Sequence, residues 1–565
     1  MAKDLASQTR AQIDAAYLMD ENAAVDALVT QAALSEQDRD DIVTTGADLV
    51  RQIRAASDPG LMEVFLAEYG LSTDEGIALM CLAEALLRVP DADTIDALID
   101  DKIAPSDWGT HLGKSTSSLV NASTWALMFT GRVLSDDRGM AQPLRRAIKR
   151  LGEPVIRTAI GRAMRVMGQQ FVLGVDIEKA MKRAAGMEAI GFTYSYDMLG
   201  EAARTDADAK HYHLAYSRAI SNIAKACVHD TVAENPGISV KLSALHPRYE
   251  EAQRDRVMAE LVPRLRSLAM LAKSAGQGFN VDAEEADRLS LSLDVIEAVV
   301  SDPALAGWDG FGVVVQAFGQ RAGHVIDWLG DLAKRTDRKL MVRLVKGAYW
   351  DAEIKRAQVL GLDGFPLFTA KSHTDVSYIA NARKLLGLTD HLYPQFATHN
   401  AHTVAAVLHM ATDMEVGTDT YEFQRLHGMG EVLHKLVLKN EGTRCRIYAP
   451  VGAHEDLLAY LVRRLLENGA NSSFVNQILD EDVAPETVAA DPFAQIGDTP
   501  DLPRGPDLFA PERANSCGWD ITHRPTLVDI DAGRTPFHYL QWSAGPLTVA
   551  KIAKSETRSV LNPAL

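Results

Sequence analysis

A (β/α)8 barrel preceded by an all-helical region is the fold this sequence predicts, and three observations predict it. Eight short apolar runs recur after residue 190: Phe192–Met198, Gly237–Leu242, Phe279–Asp282, Gly310–Gln316, Leu340–Lys346, Pro394–Thr398, Tyr421–Gln424 and Arg444–Tyr448. Helical patterns such as Arg254–Ala275 and Asp375–Leu386 separate most of them. Eight strands alternating with helices over about 270 residues suit a closed barrel better than an open sheet. Residues 1–165 lack this grammar and read as helices throughout.

In the helical region, Ser72 and Glu75 have capping-box spacing before the apolar run Ile77–Val89, and Pro90 follows as a stop. Gly70 closes a helix over Leu61–Tyr69 in the same way. We expect a support or oligomerisation region over residues 1–165 and the barrel over 166–483. The barrel is organised around Leu340–Gln358, where an apolar strand containing Arg343 breaks at Gly347 and a helix over Ala348–Gln358 follows. After residue 484 the prolines 485, 492, 500, 503, 506 and 511 punctuate an acidic, helix-poor stretch that reads as a linker. The tail, residues 484–565, reads as part of something longer.

The chain has 565 residues, 47% hydrophobic and 24% charged, as in an ordinary globular protein. Its formal net charge of -18 argues against a nucleic-acid partner. Cys81, Cys227, Cys445 and Cys517 form no CxxC pair, so a reducing compartment is expected and a structural metal is not. No apolar run reaches the roughly 18 residues a spanning helix needs. A cytoplasmic protein follows as the expectation, with a peripheral contact at the inner membrane left open.

The chemistry gathers at strand exits. Lys241, Asp282, Gln316, Arg343 and the pair His399–Asn400 end five consecutive strands with polar groups that an apolar core would not choose. Each alone is as well explained by a satisfied structural polar group. Together they point to one polar cavity at a barrel mouth. Further on, Tyr460, Arg463, Arg464 and Glu467 fall on one face of a helix whose other face is Leu458, Leu461, Val462 and Leu465. That face is either a solvated surface with an Arg463–Glu467 pair or a guanidinium fork for a small carboxylate. No GxGxxG, Walker loop, HExxH or GxSxG is present, so a cofactor would bind through strand-end loops.

Six segments carry a resemblance: Val240–Tyr249, Val281–Leu289, Val342–Asp351, Gln395–Thr403, Glu422–Glu431 and Cys445–Phe474. In this order, the chain resembles the proline dehydrogenase portion of the proline utilization A family of bifunctional flavoenzymes. The helices before residue 165 look like that family's arm and helical domains. The resemblance implies a distorted (β/α)8 barrel with noncovalent FAD, oxidising L-proline to Δ1-pyrroline-5-carboxylate and passing electrons to a quinone. It also implies an aldehyde dehydrogenase module in a longer parent protein, of which Thr557–Ala564 resembles only the opening. No ribbon-helix-helix DNA-binding segment precedes the arm-like helices, and Phe537–Trp542 falls outside the resemblance.

Carried over, the resemblance assigns Lys241, Arg463 and Arg464 to the substrate carboxylate and Glu201 to a pair with Arg463. Tyr349, Leu426, Tyr448 and Tyr460 would wall the proline ring, with Asp282 supporting Lys241 and Tyr448. Arg343, Val345, Lys346, Gly347, Ala348 and Trp350 would hold the flavin. Asp282, Gln316, Thr369, Lys371, Thr374, Thr398, His399, Asn400, Gln424 and Glu467 would complete that cofactor site. The other functions weighed are a flavin barrel acting on another cyclic or N-alkyl amino acid, and a DNA-binding repressor fragment.

Overall fold

The computed structural model describes residues 2–56, 172–452, 477–478, 480–497 and 499–541. Eight strands form β1 Phe192–Asp197, β2 Gly237–Val240, β3 Gly278–Val281, β4 Phe311–Gln316, β5 Leu340–Val345, β6 Leu392–Ala397, β7 Glu422–Leu426 and β8 Arg444–Pro450. Each runs parallel to the next, and β8 pairs back onto β1 to close the barrel. Every expected strand is present, with ends moved by one or two residues. The helix after β5 begins at Trp350 rather than Ala348. Gly347 takes φ 149, and a Cβ there would lie 2.5 Å from the Phe318 ring, so the exit turn requires glycine.

Side chains alternate between the helix layer and the barrel interior, as strand geometry dictates. Tyr194 and Tyr196 of β1 face outward and stack at 5.6 Å, among buried residues of the surrounding helices. Ser195 and Asp197 lie between and beyond them on the opposite face. The interior is polar and stacked in three levels. At the base, Glu422 accepts from Arg446 (2.8 Å), Gln395 (2.9 Å) and Gln424 (2.8 Å), and Gln395 in turn accepts from Asn280 (2.8 Å). Gly312 opposite Asn280 leaves the room, since a Cβ there would lie 2.4 Å from Asn280 Nδ2. In the middle, Arg343 donates to Ser239 (3.0 Å) and Ser195 (3.2 Å). The top level is the site described below.

The first three helices, α1 Ala2–Ala15, α2 Glu21–Ala32 and α3 Glu36–Ala55, pack on barrel helices Ala322–Thr336, Lys371–Leu386 and Ala401–Asp413 respectively. A capping box between Ser35 and Asp38 starts α3, and Ile42, Leu49, Val50 and Ile53 bury its apolar stripe. The expected helices over Leu61–Tyr69 and Ile77–Val89 lie outside the described residues.

The stretch expected to be a linker is docked rather than free. Tyr17 donates to Asp520 at 2.8 Å and stacks on His523 at 4.7 Å. Arg524 pairs with Glu251 and Asp294, both at 2.7 Å. A helix over Arg524–Arg534 also departs from the helix-poor expectation. Pro525 sits in its first turn, where the missing N–H has no intrahelical partner to lose.

Candidate active site

Four of the expected residues meet at the C-terminal mouth of the barrel. Lys241, just past β2, places Nζ 2.8 Å from Asp197 and 3.5 Å from Asp282. The Tyr448 hydroxyl lies 2.6 Å from Asp197 Oδ2 and 2.8 Å from Asp282 Oδ2, sharing its proton between them. Arg343 donates to Asp282 Oδ1 at 2.9 Å, with its guanidinium 5.1 Å from the centre of the Tyr448 ring. Arg343 is therefore a paired charge and also a wall of the mouth.

Burial opposes every charge here, and the partners overcome it. Desolvation lowers the Lys241 pKa, but Asp197, Tyr448, Asp282 and Glu201 raise it well above the usual lysine value. Lys241 is an ammonium at neutral pH and cannot serve as a resting base. Asp197 is pushed up by burial and pulled further down by Lys241 and Tyr448, so it stays ionised. Burial, then Asp197 and Asp282, hold the Tyr448 phenol neutral.

Asp197, Ser195 and Ser239 were missed from sequence. The signal was there: Ser195/Asp197, Ser239/Lys241 and Asn280/Asp282 repeat a polar pair two residues apart at the ends of three successive strands.

A second group surrounds the exit of β5. Lys346 and Lys371 flank the carboxylate of Asp375, Lys371 at 3.0 Å. Burial raises the Asp375 pKa, but the two lysines bring it down to about 2. Thr374 is buried beside them in the first turn of the helix Lys371–Leu386. That helix has no side-chain cap. Val345 ends β5, Ala348 and Tyr349 form its exit turn, and Trp350 donates to the Phe368 carbonyl at 2.9 Å. Thr369 is engaged from outside the barrel, since Glu21 of α2 accepts from both its N–H (2.9 Å) and its hydroxyl (2.8 Å).

The third group lies between β6 and β7. The His399 Nε2 accepts from the Leu426 N–H at 2.9 Å, and Leu426 is in register with Tyr448. Asn400 caps the helix Ala401–Asp413 through Thr403 N–H at 3.0 Å, and Thr398 accepts from the Asn400 N–H at 3.1 Å. Gln424 reaches down to Glu422, and Gln316 donates to the Glu284 carbonyl at 2.8 Å. Tyr460, Arg463, Arg464 and Glu467 lie outside the described residues.

These groups fit a flavin. The Arg343 Nε and the Gln424 Oε1 are buried with no hydrogen-bond partner among the described residues. The uncapped helix N-terminus at Lys371, with Lys346 and Lys371 beside it, suits an anionic diphosphate.

One buried carboxyl nearby gives a stability test. Glu353, on the helix after β5, accepts from Ala286 N–H, and burial raises its pKa to about 7. Between about pH 4.5 and 7 the folded chain then holds a proton that the unfolded chain has lost, so this group's contribution to stability falls as pH rises. In Glu353→Gln we expect that part of the pH dependence to vanish, on the order of 3 kcal/mol between pH 5 and pH 8. Urea midpoints of both proteins at the two pH values measure it, and parallel shifts in both would refute it.

Comparison with known proteins bears on the family and the fold. A family model described as proline dehydrogenase matches residues 180–477. Two others, a proline utilization A proline dehydrogenase N-terminal domain and a DNA-binding domain of proline dehydrogenase, match 7–54 and 61–171. The chain is 48% identical over 580 residues to the bifunctional protein PutA of Salmonella typhimurium, covering 99% of this chain and 44% of that protein. To the bifunctional PutA of Rhizobium meliloti it is 50% identical over 573 residues, covering 99% and 46%. The chain thus spans about half the length of these curated relatives. The proline dehydrogenase of Deinococcus radiodurans is 28% identical over 341 residues, covering 60% of this chain and 97% of its own. The crystal structure of a Bradyrhizobium japonicum proline utilization A mutant superposes with a TM-score of 0.72 at 50% identity, covering 92% of this chain and 53% of that one. With the matched barrel amounting to more than half of its residues, the chain belongs to the proline dehydrogenase family.

Proposed function

We propose that this chain oxidises L-proline to Δ1-pyrroline-5-carboxylate on a noncovalent FAD at the barrel mouth. The observation that carries this reading is the cluster of Lys241, Asp197, Asp282, Tyr448 and Arg343 at the strand ends. When bound, the flavin supplies the hydride acceptor, a chemistry the side chains lack. The chain's own task is to bind the substrate, orient its ring and exclude water.

Charge balance supports the assignment of Arg463 and Arg464 to the substrate carboxylate, beside a Lys241 that already pairs with Asp197. Lys241 and Arg343 are matched by Asp197 and Asp282, and Glu201 adds a further negative charge near Lys241. A substrate carboxylate entering this mouth needs cations from elsewhere, and Arg463 and Arg464 are the pair suited to supply them. Tyr448, Leu426 and Tyr349 would set the ring's position, together with Tyr460. Arg343, Lys346, Lys371, Thr374 and the β5 exit turn would hold the cofactor.

Electrons would pass to a quinone, with peripheral docking at the membrane as the route. Among the described residues no helix is long and apolar enough to cross a membrane. The net charge of -18 opposes a nucleic-acid partner, although the family model matched over residues 61–171 is described as a DNA-binding domain of proline dehydrogenase. Domain limits near residues 165 and 483, and a further dehydrogenase module in the parent protein, belong to the same proposal.

Purified protein should show a flavin spectrum that bleaches when L-proline is added without oxygen. Folded protein that neither carries flavin nor takes up added FAD would end this reading.

A further inference from the structure

We propose that Glu284 is a positioning residue for this oxidation: acting through Ser243, it holds the loop that carries Glu201 beside Lys241. The proposal rests on the functional reading above, and it concerns a residue that reading leaves without a role.

The loop leaving β1 is held in an unfavourable shape. Leu199 has φ 57 and Ala202 has φ 48, a left-handed backbone that side chains with a Cβ rarely adopt. Glu201 stands between them, and its charge acts on Lys241. Such a conformation persists only where the surroundings impose it. Ser243 imposes it at two points: its Oγ accepts from the Ala202 N–H at 2.9 Å, and its carbonyl accepts from the Ala203 N–H at 2.9 Å.

Ser243 is itself fixed by Glu284. It lies in the short buried helix Leu242–Leu245, whose N-cap residue Lys241 makes no side-chain cap. The orphaned Ser243 N–H donates instead to Glu284 Oε1 at 3.0 Å, from the loop after β3. Thus Glu284 caps a helix that begins at Lys241 and clamps a loop that carries Glu201.

The groups facing the Glu284 carboxyl are Arg288, whose Nη1 is 3.3 Å from Oε2, Glu285, and the Tyr249 phenol, which lines the same pocket beside the ends of β3 and β4. Burial raises its pKa to about 7 against the pull of Arg288 and Ser243. The carboxylate accepts the Ser243 N–H more strongly than the acid does, so the clamp tightens as pH rises through neutrality.

Hydrogen–deuterium exchange of residues 199–203 and steady-state kinetics test this in wild type, Ser243→Ala, Glu284→Ala and Glu284→Gln. In the two alanine variants we expect exchange of that segment to quicken about tenfold, the worth of one lost hydrogen bond. The KM for L-proline should rise about 5- to 10-fold with kcat within about twofold and flavin content unchanged. Glutamine keeps an acceptor oxygen, so Glu284→Gln should retain the protection and lose the change in KM with pH near 7. Unchanged exchange in Ser243→Ala or in Glu284→Ala, across pH 6 to 8, would overturn the clamp. Faster exchange with an unaltered KM would overturn the positioning role and leave a structural cap. If Glu284→Ala fails to fold, exchange in Ser243→Ala decides the loop contact, and a KM in Glu284→Gln that still changes with pH near 7 as in wild type would overturn the part of Glu284. A wild-type chain that does not oxidise proline would defeat the functional reading instead, with the exchange data still deciding the clamp.

Discussion

In Lys241→Met, kcat/KM for L-proline should fall by roughly 10^2- to 10^3-fold while the protein keeps its flavin. The side chain Nζ is the cation 2.8 Å from Asp197, a carboxylate that is 1% exposed, and it also faces Asp282 at 3.5 Å. Removing one member of a buried pair leaves the other charge uncompensated, at a cost of roughly 3–5 kcal/mol. One of the two aspartates would then take up a proton, and Tyr448 would lose the hydrogen-bond geometry that places its ring beside Arg343. Stability and activity can be separated. Adding Asp197→Asn removes the orphaned charge, so the double variant should regain much of the lost stability but little activity. Retention of kcat/KM within about threefold in Lys241→Met would place the substrate somewhere other than this cluster.

The barrel was legible because its strands are short, apolar and evenly separated by helical periods, a local signal that needs no knowledge of contacts. Lys241, Asp282 and Arg343 were reachable for the same reason, as polar residues at the ends of such runs, whereas Tyr448 came only from the family resemblance. Asp197 escaped because the first run was read through to Met198, which hid the polar end inside the strand. The hydrogen-bond network at the base of the interior was not legible. The Asn280–Gln395 bond joins residues 115 apart, and nothing local marks either as its partner. The same holds for the docked C-terminal segment, where Tyr17 meets Asp520 across 503 residues. Proline spacing there signals a break in regular structure, but it cannot say whether the chain leaves the surface or lies along it.

The base of the barrel supplies a test of stability that is independent of the chemistry above it. In Arg446→Met the fold should lose roughly 3–5 kcal/mol, because Glu422 is fully buried and Arg446 is its only cationic partner among the described residues. The guanidinium also donates to the carbonyls of Asn235 and Ala233, both at 2.8 Å, and methionine leaves those acceptors unmet as well. Gln395 and Gln424 would still donate to Glu422, which limits the loss but supplies no charge. The double variant Arg446→Met/Glu422→Gln should therefore be more stable than the single one, since it replaces a buried unpaired carboxylate with a neutral amide. Activity per folded molecule should stay near wild type, because the middle level of Ser195, Ser239 and Arg343 stands between this network and the mouth. Urea unfolding of the three proteins decides it: a single variant within about 1 kcal/mol of wild type would mean that the polar base bears little of the barrel's stability.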